Sequence, residues 1–118
     1  MPFPTPEGKK PIVVAPGVTL RTVWGESIMM SFVEFAHADA TVALHQHPHE
    51  QMGMVTEGAI EFICGEERRT VPAGGIFLIP PNTPHSARAV GGPARALDIF
   101  HPRREDYMIE GGEVRLGE

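Results

Sequence analysis

The sequence predicts an all-β fold, a sandwich or barrel. Three observations lead there. Short apolar or alternating stretches recur at close spacing, each bounded by turn residues. The 13 Gly and 12 Pro among 118 residues demand many turns. No long segment carries the three-and-four apolar spacing of an amphipathic helix.

The elements follow in order. Residues 1–17 contain five prolines and read as an extended arm, with a short edge strand at Ile12–Val14. A barrel is expected over residues 18–102. VTLRTVW is a strand, Gly25-Glu26 a turn, and SIMMSFVEFA a longer strand. After a turn at His37–Asp39, TVALHQH is the next strand, stopped by Pro48, which has no N–H to give a ladder. QMGMVTEG ends at Gly58, AIEFICG and RRTV form a hairpin, and IFLIP is a buried strand. HSARAV and ARALDIF complete the pattern, and residues 103–118 read as a short helical turn and a polar tail.

One domain of this length buries roughly two thirds of its unfolded surface, enough for a core. Hydrophobic residues make up 42% of the chain, which fits a globule. A net charge of -5 argues against nucleic acid as a partner but not against a small anionic substrate. A lone cysteine, Cys64, rules out an intrachain disulfide and sits in an apolar run, as an inert packing residue would. No apolar run approaches the ~18 residues of a membrane span, and the proline-broken N-terminus does not read as a signal peptide. A cytoplasmic protein without membrane association is expected.

The stretch LHQHPHEQ, starting at Leu44, carries the chemistry. His45 and His47, two apart on an expected strand, point to one face. A ligand near Gln51 would face them from the next strand, and His85 follows the turn at Pro81–Pro84. Three imidazoles and one oxygen suit one divalent transition metal ion, Ni, Zn, Mn or Fe, with open coordination positions. His49 lies in the turn and fits a rim position or a support for a ligand, His37 fits the surface, and His101 fits the barrel mouth or the surface.

These residues resemble the cupin superfamily. Its first motif runs HxH, a few residues, Glu, six residues, Gly; here His45 and His47 lead through Gln51 to Gly58. Its second runs from Gly through proline-x-glycine to His; here Gly65, Pro72-Ala73-Gly74 and His85 correspond. The resemblance covers about residues 40–100 and implies a double-stranded β-helix, or jelly-roll, barrel with the metal inside. Gln51 occupies the usual Glu position, whereas Glu50 would point to the opposite face. The implied ligands are His45, His47, Gln51 and His85. A neutral amide leaves the ion its full charge for Lewis-acid work.

In the last strand, Asp98 and Phe100 share a face opposite Leu97 and Ile99. An inward Asp98 fits a general acid or base; equally, it fits a brace paired with Arg88 or Arg95. The run LDIFHPRREDYM, with HPHEQ and PPNTPH, resembles the KdgF-type cupins of pectin and alginate breakdown. That resemblance implies ring opening and ketonisation of 4,5-unsaturated uronate monosaccharides, with Asp98, Phe100 and Arg104 lining the site. Arg104 would pair with the uronate carboxylate, while Phe100 would stack on the sugar or serve the core. Other cupin chemistries stay open, namely a metal-dependent dioxygenase or a non-catalytic sugar-binding protein. A homodimer is expected, with the proline-rich arm exchanged against a partner's sheet edge.

Overall fold

The computed structural model describes residues 2–117. Ten strands form two antiparallel sheets of a jelly-roll barrel: β1 (Ile12–Ala15), β2 (Val18–Trp24), β3 (Met29–Phe35), β4 (Thr41–His45), β5 (Glu50–Glu57), β6 (Ala59–Cys64), β7 (Glu67–Pro72), β8 (Ile76–Ile79), β9 (His85–Ala89) and β10 (Ala94–His101). One sheet has the order β1-β2-β3-β10-β5-β8 and the other β4-β9-β6-β7. A single 3-10 turn, Glu105–Tyr107, is the helical element among the described residues.

The register of the larger sheet sorts its inner face into rows. Val18, Phe35 and Ala94 form one apolar row; Leu20, Val33, Ala96 and Val55 form the next. Then the chemistry changes. Thr22, Ser31, Asp98, Gly53 and Phe77 lie in register, followed by Trp24, Met29, Phe100, Gln51 and Ile79. Aliphatic side chains therefore fill one end of the barrel and polar ones gather at the other. Across the core, β6 and β9 supply Ile60, Phe62, Ala87 and Ala89. Phe62 and Phe77 join the sheets, their ring centroids 4.3 Å apart.

Three expectations need correction. IFLIP is not buried on both sides: Ile79 is inside, but Ile76 and Leu78 are 69% and 53% exposed on the outer face. The strand after His37–Asp39 stops at His45, because the β4–β9 register slips between Val42 and His45 and the chain then turns through Pro48. Within the expected tail, residues 103–117 are not peripheral. Arg104 and Tyr107 are buried, Val114 and Leu116 pack against the core, and Val114 donates its N–H to the Val13 carbonyl, 3.0 Å. The arm does contribute an edge strand: β1 pairs with β2, and Ile12 is fully buried.

Gly53 sits where β5 passes beneath Phe77, and a methyl group there would land on the Phe77 ring and the Leu97 carbonyl oxygen. Gly53→Ala should cost about 1–3 kcal/mol through overpacking. Thermal unfolding checks this; an unchanged melting temperature would contradict the tight packing.

Candidate metal centre

The sheets bring four polar side chains to the polar end of the barrel. His45 closes β4 and His85 opens β9, and the two are direct partners in register. His47 follows β4 in the loop, and Gln51 points inward from β5; His47, Gln51 and His85 are 6%, 7% and 4% exposed. Glu50 is exposed, as strand alternation requires. Asn82 ties the two loops together, its N–H donating to the His47 carbonyl at 2.8 Å. Its φ of 58° is left-handed, a conformation asparagine tolerates better than most residues.

Each imidazole is fixed by a backbone carbonyl. Nδ1 of His45 lies 2.7 Å from Ala43 O, that of His47 3.1 Å from His49 O, and that of His85 2.8 Å from Thr83 O. A carbonyl only accepts, so Nδ1 carries the proton and Nε2 is left with its lone pair. Ligand atoms of the three rings lie within 4.8 Å of one another. His85 Nε2 is buried with no hydrogen-bond partner. Gln51 Oε1 stands 3.1 Å from His47 Nε2, so a second acceptor faces the same point. Lone pairs converging in a buried place, each backed by a carbonyl, are the donor set and outer support of a transition-metal site. The residues fit such an ion. Among the described residues, His45, His47 and His85 are positioned to bind a metal.

Burial also keeps the rings neutral. Desolvation lowers His45 and His47 from 6.5 to about 4, helped by the mutual proximity of the rings and by Arg104. His85 is lowered for the same main reason. His49 stands aside: its backbone oxygen holds His47, and its ring meets Phe100 edge-on at 6.4 Å.

Asp98 points into the same space. Arg88 pairs instead with Asp39 and Glu61, and Arg95 with Glu34 and Glu57, so neither braces Asp98. Burial raises the Asp98 carboxyl from 3.8 to about 7, against the opposing pull of a Gln51 hydrogen bond and Arg104. Arg104 holds Asp106 through Nε at 3.2 Å and Nη2 at 2.8 Å. Its guanidinium lies 3.8 Å from the Tyr107 ring centroid and 5.1 Å from that of Phe100. Arg103 turns away to the Gly25 carbonyl, 2.8 Å. His45, His85, Gln51, Asp98, Phe100 and Arg104 all line one cavity of about 50 Å³. That is room for an ion with a few small ligands, since one water needs roughly 10–15 Å³ of such space.

Residues 31–100 match the Cupin_2 family, described as a cupin domain. The chain is a cupin. It is 31% identical to a solved KdgF from Halomonas sp., with a TM-score of 0.81 over 90% of this chain and 97% of that one. It is 28% identical to the pectin degradation protein KdgF of Dickeya dadantii over 86 residues, 72% of this chain and 77% of that protein. An RmlC-like cupin from Shewanella frigidimarina is 25% identical, with a TM-score of 0.81 over 90% and 95% of the two chains. This cupin is thus of the small KdgF-like kind, and together with the histidine triad the relatives support a metal-binding enzyme.

Sequence reading missed three neighbours. Ser31 is Asp98's partner on β3, and its buried hydroxyl has no hydrogen-bond partner. Tyr107 packs beneath Arg104 and edge-on to Phe100 at 5.9 Å. Asp106 neutralises Arg104. Only strand register and the return of the C-terminal segment place them here. Cys64 also lies opposite His85 in register, half-buried rather than in the core, with its thiol raised by burial and Glu67 and so held protonated.

The shifts set a pH dependence for the metal-free protein. Unfolded, His45 and His47 bind protons near 6.5; folded, only near 4. Stability is therefore lost as pH falls from 6.5 towards 4. Asp98 has the opposite sign, since its folded value of about 7 exceeds 3.8, but it is one group against two and offsets only part of the loss. The melting temperature of chelator-treated protein should be lower at pH 4.5 than at pH 7, and an equal or higher value at pH 4.5 would contradict the buried neutral rings.

Proposed function

We propose that this cupin is a metal-dependent, non-redox isomerase that opens 4,5-unsaturated uronate monosaccharides and converts them to the linear keto form. One observation carries the reading: His45 and His85 of the metal-ready triad, a neutral amide oxygen, a carboxyl poised near pH 7 and a guanidinium line one small cavity. The names of the KdgF relatives, one a pectin degradation protein, support the substrate class. His45, His47, His85 and Gln51 would hold the ion, which supplies Lewis acidity towards substrate oxygens.

The remaining work falls to the chain. The cavity is too small for a sugar ring, so the ring sits at the mouth and presents its oxygens inward. Arg104 binds the carboxylate, using donors that Asp106 leaves free or taking the place of Asp106. Phe100 offers an apolar wall. No electrons enter or leave: the hemiacetal hydroxyl loses a proton and becomes a carbonyl as the ring C–O bond breaks, the released ring oxygen takes up a proton as an enol, and the enol hydroxyl then gives up its proton while the neighbouring carbon gains one. Asp98, ionised or protonated with nearly equal ease at neutral pH, is the group we assign to that transfer. Loss of the substrate's ultraviolet absorbance should be abolished by chelator. It should slow about a hundredfold or more in Asp98→Asn, a general acid–base loss. Arg104→Gln should act mainly on KM. Metal-loaded protein that leaves the absorbance unchanged would sink the reading.

We also propose a homodimer, by a different surface from the arm. Two registered rows cross the outer face of the larger sheet: Met30, Ile99, Met52 and Leu78, then Phe32, Leu97, Met54 and Ile76. Met52, Leu78 and Ile76 are 48%, 53% and 69% exposed. Contiguous exposed apolar side chains on one sheet face mark a surface for association. A flat, pleated face is complementary to its own copy stacked across a two-fold axis. Arg95 with Glu34 and Glu57 gives a balanced polar rim. Light scattering should give a dimer mass for the native chain and a monomer for Ile99→Asp; a native monomer at micromolar concentration would refute it. A cytoplasmic location is proposed with it, since the lone Cys64 forms no intrachain disulfide.

A further inference from the structure

Asp98 faces Gly53 in register, and Phe100 faces Gln51. Asp98 and Gln51 are therefore diagonal neighbours on the inner face. The Gln51 amide has two unlike ends. One lies on the side of the Asp98 carboxyl, whose charged form Gln51 favours; the other, Oε1, stands 3.1 Å from His47 Nε2. The imidazole cluster offers only lone pairs, since all three Nδ1 protons go to carbonyls. Left to itself, the amide would turn its NH₂ towards those lone pairs, placing a donor where an ion belongs. A carboxylate on the far side accepts the NH₂ and turns the oxygen inward.

We propose that Asp98 is a positioning residue for Gln51, fixing the amide with its oxygen towards His45, His47 and His85 and so setting the metal affinity. This rests on the triad holding a metal, and it is separate from any proton transfer by Asp98. The effect acts through hydrogen-bond acceptance, so a neutral acceptor should serve in place of the carboxylate.

The test is Zn²⁺ and Ni²⁺ affinity by competition with a chromophoric chelator, with melting temperature as the folding control. Asp98→Leu, which removes the acceptor, should weaken binding about 10–100-fold, the usual effect of losing a group that orients a ligand. Asp98→Asn, which keeps a carbonyl oxygen, should recover most of that affinity. In a Gln51→Glu background both ends of the side chain are oxygens, and Asp98→Leu should no longer weaken binding. Equal losses for Asn and Leu, or a loss that persists with Gln51→Glu, would mean that Asp98 acts by charge alone and would overturn the proposal. Native-like affinity in Asp98→Leu would do the same. A native protein that binds neither metal would instead remove the metal reading itself, and this inference with it.

Discussion

The site rests on three hydrogen bonds from imidazole N–H groups to backbone carbonyls. Those of Ala43, Thr83 and His49 each belong to a strand end or loop that the sheets hold rigidly. They choose the tautomer, aim the opposite nitrogen and prevent the rings from satisfying one another. Without them, three histidines with centroids 4.2 to 5.7 Å apart would share protons and form a cluster of ordinary hydrogen bonds. The backbone thus leaves the cluster short of donors, which gives it an appetite for a cation.

Charge is distributed around the cluster in the same spirit. The inner ligands are neutral, and the ionisable groups form a second ring: Asp98 behind Gln51, and Arg104 between two aromatic faces with Asp106 outside it. Arg104 stays buried because its carboxylate partner and the π-faces replace lost hydration. Its positive field and the desolvation of the rings disfavour imidazolium. Acid therefore opposes both the fold and ion binding through the same atoms, because a protonated imidazole has no lone pair to give.

Much of this was legible in the chain. Strand alternation put Gln51 inside and Glu50 outside, and the pairing of Asp98 with Phe100 on one face follows from the same period of two. The barrel itself was legible from the spacing of turns. Illegible were the features that depend on distant pairings. The slip between Val42 and His45 removes His47 from its expected strand, yet the loop still delivers the ring. IFLIP reads as buried, but nothing local marks Ile76 and Leu78 as the end of an apolar band spanning four strands. The polar segment after Pro102 hides Arg104 and Tyr107 because their partners are contributed by residues near them in space, not by local hydrophobicity.

The bond from Asn82 to the His47 carbonyl joins two loops far apart in sequence. Neither half of the triad is complete until β4 and β9 have paired across that separation, and such non-local pairings form late in slow-folding β-proteins. An ion drawn by three imidazoles would bind the finished barrel far better than any partly folded chain. Its free concentration would then enter the folding equilibrium by mass action, adding stability in proportion to the logarithm of ligand excess. Metal supply would act as a thermostat on how much of the chain stays folded, independently of whether any substrate is present.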